Sequence, residues 1–239
     1  MIGYNTKIII YLRRNDLRLD SQFVQIIKSG NPIDSIEDFL VKSPKNYFKL
    51  IEDWAIVFGT ENIIVRPLEK TQIPDLISDF LKIAGLKNSK NEFNLIEDKN
   101  IKPGLDQVIA LKYLFNWLAN KKRKPGDFKN NYLKFNKAIA RNFLKFSKDW
   151  ETPKDYKLLP FEKAKELLAE ETKWNQKIAN KYLENQNELF VEPLKYYQNA
   201  SLELNQMSND NLLDFMKFLK TNFQLTPNQI KTNVSKSLK

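Results

Sequence analysis

The chain has one continuous apolar run near its start, "KIIIYL" at 7–12, and a second of the same kind, "NIIVRPLE" at 62–69. Short runs rich in β-branched residues, apolar without alternation, predict strands buried on both faces, as in a parallel sheet. Pro67 suits the end of the second strand, because proline cannot donate to a ladder. Elsewhere the period lengthens to that of a helix. A helix is expected at 20–29, after the first strand. In 45–59, Tyr47, Ile51, Trp54 and Phe58 recur at helical spacing and Gly59 is a natural stop. In 73–85, Ile73, Leu76, Ile77, Phe80 and Leu81 repeat the design, again closed by a glycine. Strand–helix–helix–strand–helix is an alternating α/β order, so the two strands are expected to run parallel in one sheet.

Beyond Gly85 the pattern is polar and aperiodic as far as Gly104, then helical only. Val108, Leu111, Phe115 and Leu118 mark one helix. Phe128, Tyr132, Phe135, Ile139, Phe143, Phe146 and Trp150 form an aromatic stripe at helical spacing, the signature of a core face. Residues 160–183, with Pro160 in the first turn, predict a long helix, and 209–222 and 227–237 two shorter ones. The chain is therefore expected to be one domain over 1–239, with an α/β part at 1–86, a loop at 87–103 and a helical part at 104–239.

The composition narrows the chemistry. There is no cysteine and no histidine among the 239 residues, which removes thiolate chemistry, the usual zinc ligands and the usual neutral-pH base. Acid–base work falls to Asp, Glu, Lys or Tyr. No metal-ligand cluster is visible. No stretch approaches a membrane span, the first residues do not read as a signal peptide, and a cytoplasmic location is expected. The net charge of +10 points to an anionic partner, but most of the excess is lysine scattered among Asn and Ile, as coding bias and solubility would leave it. The one cluster, "KKRK" at 121–124, precedes a Pro-Gly turn and reads as a solvated loop. Scattered charge gives no extended footprint for nucleic acid.

Local clustering is sharper in "IIIYLRRNDLRLDS" at 8–21. In an open parallel sheet, ligands bind beyond the carboxyl ends of strands, and Arg13 and Arg14 stand at that end. Ser21 is expected at or near the start of the next helix, where backbone N–H groups and the helix dipole favour anions. Forked guanidinium donors and a hydroxyl are the parts of a phosphate clamp. The competing structural account pairs Arg13, Arg14 and Arg18 with local acids such as Asp16 and Asp20. Glu69, at the end of the second strand, is a candidate to act as a base or orient a substrate hydroxyl, or to be one half of a structural ion pair.

Arg13, Arg18 and Ser21 follow the spacing R-x-x-x-x-R-x-x-S after a buried strand. This resembles the 3′-phosphate motif of the sulfotransferases that use 3′-phosphoadenosine 5′-phosphosulfate (PAPS). The resemblance implies that Arg13 and Ser21 hold the nucleotide's 3′-phosphate; Arg18 stands where the carbohydrate branch often has arginine, and Asn15 replaces a common proline. "NYFKLIEDWAIVFGTENIIVRPLEK" at 46–70, "LISDFLKIAGL" at 76–86 and "LLPFEKAKELLAEETKWNQKIANKYLENQNELF" at 158–190 resemble successive segments of bacterial sulfotransferase-like proteins of glycan modification. The implied fold is the α/β, P-loop NTPase-like parallel sheet of that family with a largely helical second half. The implied activity is sulfuryl transfer from PAPS to a carbohydrate hydroxyl, without a metal. The family's glycine-rich 5′-phosphosulfate loop has no counterpart among the six glycines, so the chain resembles the domain without its first strand, that loop and the helices that follow it. No catalytic residue is carried over. Two charge-assisted hydrogen bonds of about 1.5–3 kcal/mol each would hold the nucleotide at roughly millimolar affinity. Weak nucleotide binding and no transfer by this chain alone are expected. An exposed edge on the 7–12 strand would invite a complementing chain or self-association. A noncatalytic helical protein that binds a partner or an anionic polymer stands as the alternative.

Overall fold

The computed structural model describes residues 6–41, 47–86, 101–121, 129–184 and 186–225. The "KKRK" run beyond its first lysine, most of the 87–103 segment and the expected 227–237 helix lie outside the described residues. The elements run β1 (Ile8–Leu12), α1 (Asn15–Lys28), α2 (Ile36–Val41), α3 (Tyr47–Phe58), β2 (Ile63–Pro67), α4 (Leu76–Ile83), α5 (Leu105–Lys121), α6 (Lys129–Phe146), α7 (Phe161–Tyr182) and α8 (Asn209–Phe223). The fold is mostly helical with a small parallel sheet. The described residues form two compact units, each drawn from three stretches: Met1–Arg18, Pro44–Lys99 and Phe161–Tyr196 in the first, Leu19–Ser43, Asn100–Pro160 and Tyr197–Lys239 in the second. Helix α1 starts in the first unit and continues into the second.

In the first unit the two predicted strands pair in parallel, with Ile8 opposite Ile63 and Leu12 opposite Pro67. Successive side chains of a strand point to opposite faces. One face, carrying Ile8, Ile10, Leu12, Ile63 and Val65, packs against Ile51 and Ala55 of α3, Ile178 and Ala179 of α7, and Leu189. On the other face Tyr11 and Arg66, opposite one another in the register, both reach Asp79 of α4. The Tyr11 hydroxyl donates to Asp79 Oδ2 at 2.7 Å, and burial together with that carboxylate pushes it up to about 12. Asp75 caps α4, its Oδ1 accepting from the N–H groups of Ile77 and Ser78. Both expected glycine stops are real: Gly59 after α3 and Gly85 after α4 have φ of 85° and 70°.

Three expectations need correction here. Strand β1 is half-buried along Ile8–Tyr11 rather than buried on both faces, because the described sheet has only two strands and β1 keeps one unpaired edge. The face of α3 that packs runs through Ile51 and Ala55 and leaves Trp54 42% exposed, stacked on Phe58. Helix α1 begins at Asn15, five residues before the expected start.

The second unit is all helical. The stripe Val108, Leu111, Phe115 and Leu118 of α5 is buried as the spacing predicts. The aromatic stripe of α6 is core only in part. Phe143 is fully buried against Phe215 and Phe218 of α8, with ring centroids at 5.8 and 5.1 Å, whereas Phe135 and Phe146 are about half exposed. Phe128 and the Tyr132 side chain lie outside what is described. Buried polar groups tie the unit together. Asp20 Oδ1 accepts from the N–H groups of Leu158 and Leu159, and Asp106 Oδ2 accepts from Ser208 N and Asn211 Nδ2. Among the described residues no helix is long and apolar enough to cross a membrane.

Candidate functional site

The carboxyl end of β1 gathers a group of charges within the first unit. Arg13 and Arg14 are adjacent in an extended segment, so they leave the chain in opposite directions. Arg14 turns inward and is only 8% exposed. Its guanidinium grips Asp16 with two hydrogen bonds, Nε to Oδ1 at 2.8 Å and Nη2 to Oδ2 at 3.0 Å. Nη1 donates to the Glu192 carbonyl and lies 4.0 Å from Glu69 Oε1. Glu69 in turn accepts from Val191 N at 2.7 Å, Glu192 N at 3.2 Å and Gln72 Nε2 at 3.0 Å. These contacts hold the segment after α7 against the end of β2. Glu69 is thus the structural half of the two roles open to it, and Arg14 does pair with a local acid, though buried rather than on the surface.

Arg13 turns outward. It is exposed, and among the described residues its guanidinium forms no hydrogen bond or ion pair. Its backbone carbonyl is held instead, accepting from the Tyr47 hydroxyl of α3 at 2.9 Å. Arg18, one turn into α1, is half-buried; its Nε donates to Asn15 Oδ1 at 2.5 Å and its guanidinium lies 5.5 Å from the centre of the Tyr47 ring.

The other end of the Asn15 amide makes the least expected contact. Its Nδ2 donates to Glu171 Oε1 of α7 at 2.5 Å. Asn15 and Glu171 are 1% and 5% exposed. Burial pushes the Glu171 carboxyl up to about 7; the Asn15 hydrogen bond and Arg18 pull it down, while Asp16 and Glu170 push it further up. The outcome is a carboxyl that titrates near neutrality, linked through one amide to Arg18. Burial also raises the Tyr47 phenol above its ordinary value, opposed by Arg18. The sequence assigns no site role to Glu171, Asn15 or Tyr47; Asn15 enters it only as a departure from the family motif and Tyr47 only as part of a helical stripe. The buried positions of α7 include Ala164, Leu167, Glu171 and Ile178, so a carboxylate occupies a place in the packed stripe, which the packing and not the spacing reveals.

Ser21 is exposed, the seventh residue of α1. Only the first four N–H groups of a helix lack an intrahelical acceptor, and Ser21 lies beyond them. The expected contribution of a helix start at Ser21 is therefore lost, and its hydroxyl is what it can offer. Asp20, considered as a partner for the arginines, binds backbone N–H groups instead. Along α7, Trp174 stacks on Phe48 of α3, ring centroids 5.8 Å apart, with Lys177 Nζ over both rings.

No family model matches the chain, and no solved structure matches it. Among curated proteins it is similar to an uncharacterized protein of Archaeoglobus fulgidus, 37% identical over 84 residues, which are 34% of this chain and 23% of that protein. The match thus spans about a quarter of the relative's length.

Proposed function

We propose that the end of β1 and the first turns of α1 bind the 3′-phosphate of a nucleotide, and that the chain is a sulfotransferase-like protein whose donor substrate is PAPS and whose acceptor is a carbohydrate hydroxyl. The observation that carries this is Arg13: a guanidinium at the carboxyl end of a strand in a parallel sheet, exposed, its backbone fixed by Tyr47, with no ion-pair partner among the described residues. Ligands of open α/β sheets sit at that edge. Arg14, by contrast, is consumed by Asp16 and Glu69, so the motif's own choice of arginine coincides with the cation left over for a ligand. The finer fold in this proposal is the P-loop NTPase-like sheet of the sulfotransferases, with the parallel β1–β2 pair as its support. In this proposal the Arg13 guanidinium takes the nucleotide's phosphate, and the sequence motif adds the Ser21 hydroxyl as a second donor. Sulfuryl transfer further requires cationic groups where charge builds on the leaving oxygen, and no residue is assigned to that task.

The test is calorimetric titration of the full chain with adenosine 3′,5′-bisphosphate. Binding in the roughly millimolar range is expected, weakened about tenfold or more by Arg13→Ala and less by Ser21→Ala, as loss of a charged and of a neutral donor would give. Equal heats for all three proteins would overturn the site. The noncatalytic alternative predicts that labelled sulfate never passes from PAPS to a glycan; transfer by this chain would reject it.

A further inference from the structure

The charges at the end of β1 do not balance in pairs. Arg14 is surrounded by two carboxylates, Asp16 and Glu69. Arg18 and Glu171 do not meet directly. The Asn15 amide stands between them, accepting from Arg18 Nε and donating to Glu171 Oε1. An amide can serve both neighbours at once only with its carbonyl toward the guanidinium and its NH2 toward the carboxyl. Arg18 also lies over the Tyr47 ring, and the Tyr47 hydroxyl holds the carbonyl of Arg13. A continuous chain of contacts therefore runs from a buried carboxyl to both outer arginines of the motif.

We infer that anion binding at the end of β1 is coupled to protonation of Glu171, so that the site takes up a proton as it takes a phosphate-bearing nucleotide. The inference rests on the 3′-phosphate site proposed above and adds its control by pH. The cause is electrostatic. A phosphate beside Arg13 and Arg18 brings negative charge toward a buried carboxylate that has no cation within ion-pair distance among the described residues, and a like charge favours the neutral acid. Protonating Glu171 removes one competitor for the field of Arg18. The groups facing Glu171 are Asn15, Asp16 and Arg18 from α1, Tyr47 from α3 and Glu170 from α7 itself. Arg18 keeps its charge throughout. Tyr47 stays neutral, since burial raises it. Asp16 is held in two hydrogen bonds by Arg14.

The linkage has a sign that separates it from the ligand's own titration. A phosphate monoester gains its second charge near about pH 6, which alone would tighten binding by about twofold between pH 6 and pH 8. Loss of the Glu171 proton over the same interval acts the other way. The experiment is titration with adenosine 3′,5′-bisphosphate at about pH 6 and about pH 8, for wild type, Glu171→Gln and Arg13→Ala. Wild type is expected to bind about threefold more weakly at the higher pH, and Glu171→Gln equally well or more tightly there. Wild-type titrations at about pH 7 in two buffers of different ionisation enthalpy supply a readout that needs no variant: the observed heats differ by the protons exchanged, and a net uptake is expected, whereas the ligand phosphate alone would release protons. Binding that Arg13→Ala weakens, with the same pH trend in wild type and Glu171→Gln, overturns the coupling and leaves the site standing. Binding unaffected by Arg13→Ala, or no binding at either pH, overturns both.

Discussion

Asp20 in the second unit and Glu171 in the first are equally buried, at 4% and 5% exposure, and keep opposite company. Asp20 Oδ1 receives two backbone N–H groups, from Leu158 and Leu159, at 2.7 and 3.0 Å. Backbone donors cannot be turned away or titrated, so that carboxylate is a fastener between α1 and the segment before α7. Glu171 receives one side-chain amide, and the amide is shared with an arginine at the rim of the unit. Burial alone therefore does not mark a functional acid. The donor set does: fixed backbone donors indicate architecture, while a single side-chain donor tied to a surface cation leaves the proton free to come and go. Within the first unit, Arg14 and Arg13 repeat the contrast, one spent on Asp16 and Glu69, the other without an ion-pair partner among the described residues.

The largest effect should come from breaking the spent pair. Arg14→Ala leaves Asp16 without its two guanidinium bonds and Glu69 without the guanidinium 4.0 Å away, and removing one partner of a buried ion pair costs about 3–5 kcal/mol. Chemical unfolding should show the midpoint fall accordingly, while Arg13→Ala stays within about 0.5 kcal/mol of wild type, as surface substitutions do. Similar losses in the two variants would erase the distinction between a structural arginine and a ligand arginine. A smaller loss, about 2–3 kcal/mol, is expected for Asp20→Ala, which strands two buried N–H donors. A loss below about 0.5 kcal/mol would mean that the fastener is dispensable.

The sequence carried the frame of the first unit better than its site. The β-branched runs at 8–12 and 63–67 were legible because continuous apolarity over so few residues fits little besides a strand, and the helix–helix interval between them required a parallel pairing. The start of α1 was not legible. Asn15, Asp16, Arg18 and Asp20 are polar, so the segment looks like a loop, yet Asn15, Asp16 and Asp20 are buried. Their partners, Glu171 for Asn15 and the 158–159 backbone for Asp20, are distant in sequence. Nor does spacing alone distinguish Glu170 from Glu171 until the packed face of α7 is known. The exposed Phe135 and Phe146 make the converse point: helical spacing of aromatics fixes which residues share a face, and tertiary packing fixes how much of that face is covered.

The smallest and most telling effect is a gain. Folded, Glu171 keeps its proton up to about pH 7; unfolded, it releases the proton near its ordinary value of 4.5. Between those values the native state binds more protons than the unfolded chain, so stability falls as pH rises through the window and stays low above it. Glutamine cannot ionise and its carbonyl still accepts from Asn15. Glu171→Gln should therefore match wild type at about pH 4, draw ahead through the window, and be more stable by about 2 kcal/mol at pH 8. Urea unfolding across that pH range measures it. Asp20→Asn gives the control, because an amide oxygen can accept from Leu158 and Leu159 but brings an NH2 group where no acceptor is wanted, and it should lose stability at pH 8 where Glu171→Gln gains. If both variants move the same way at pH 8, the two buried acids are of one kind, and the donor set has no diagnostic value in this protein.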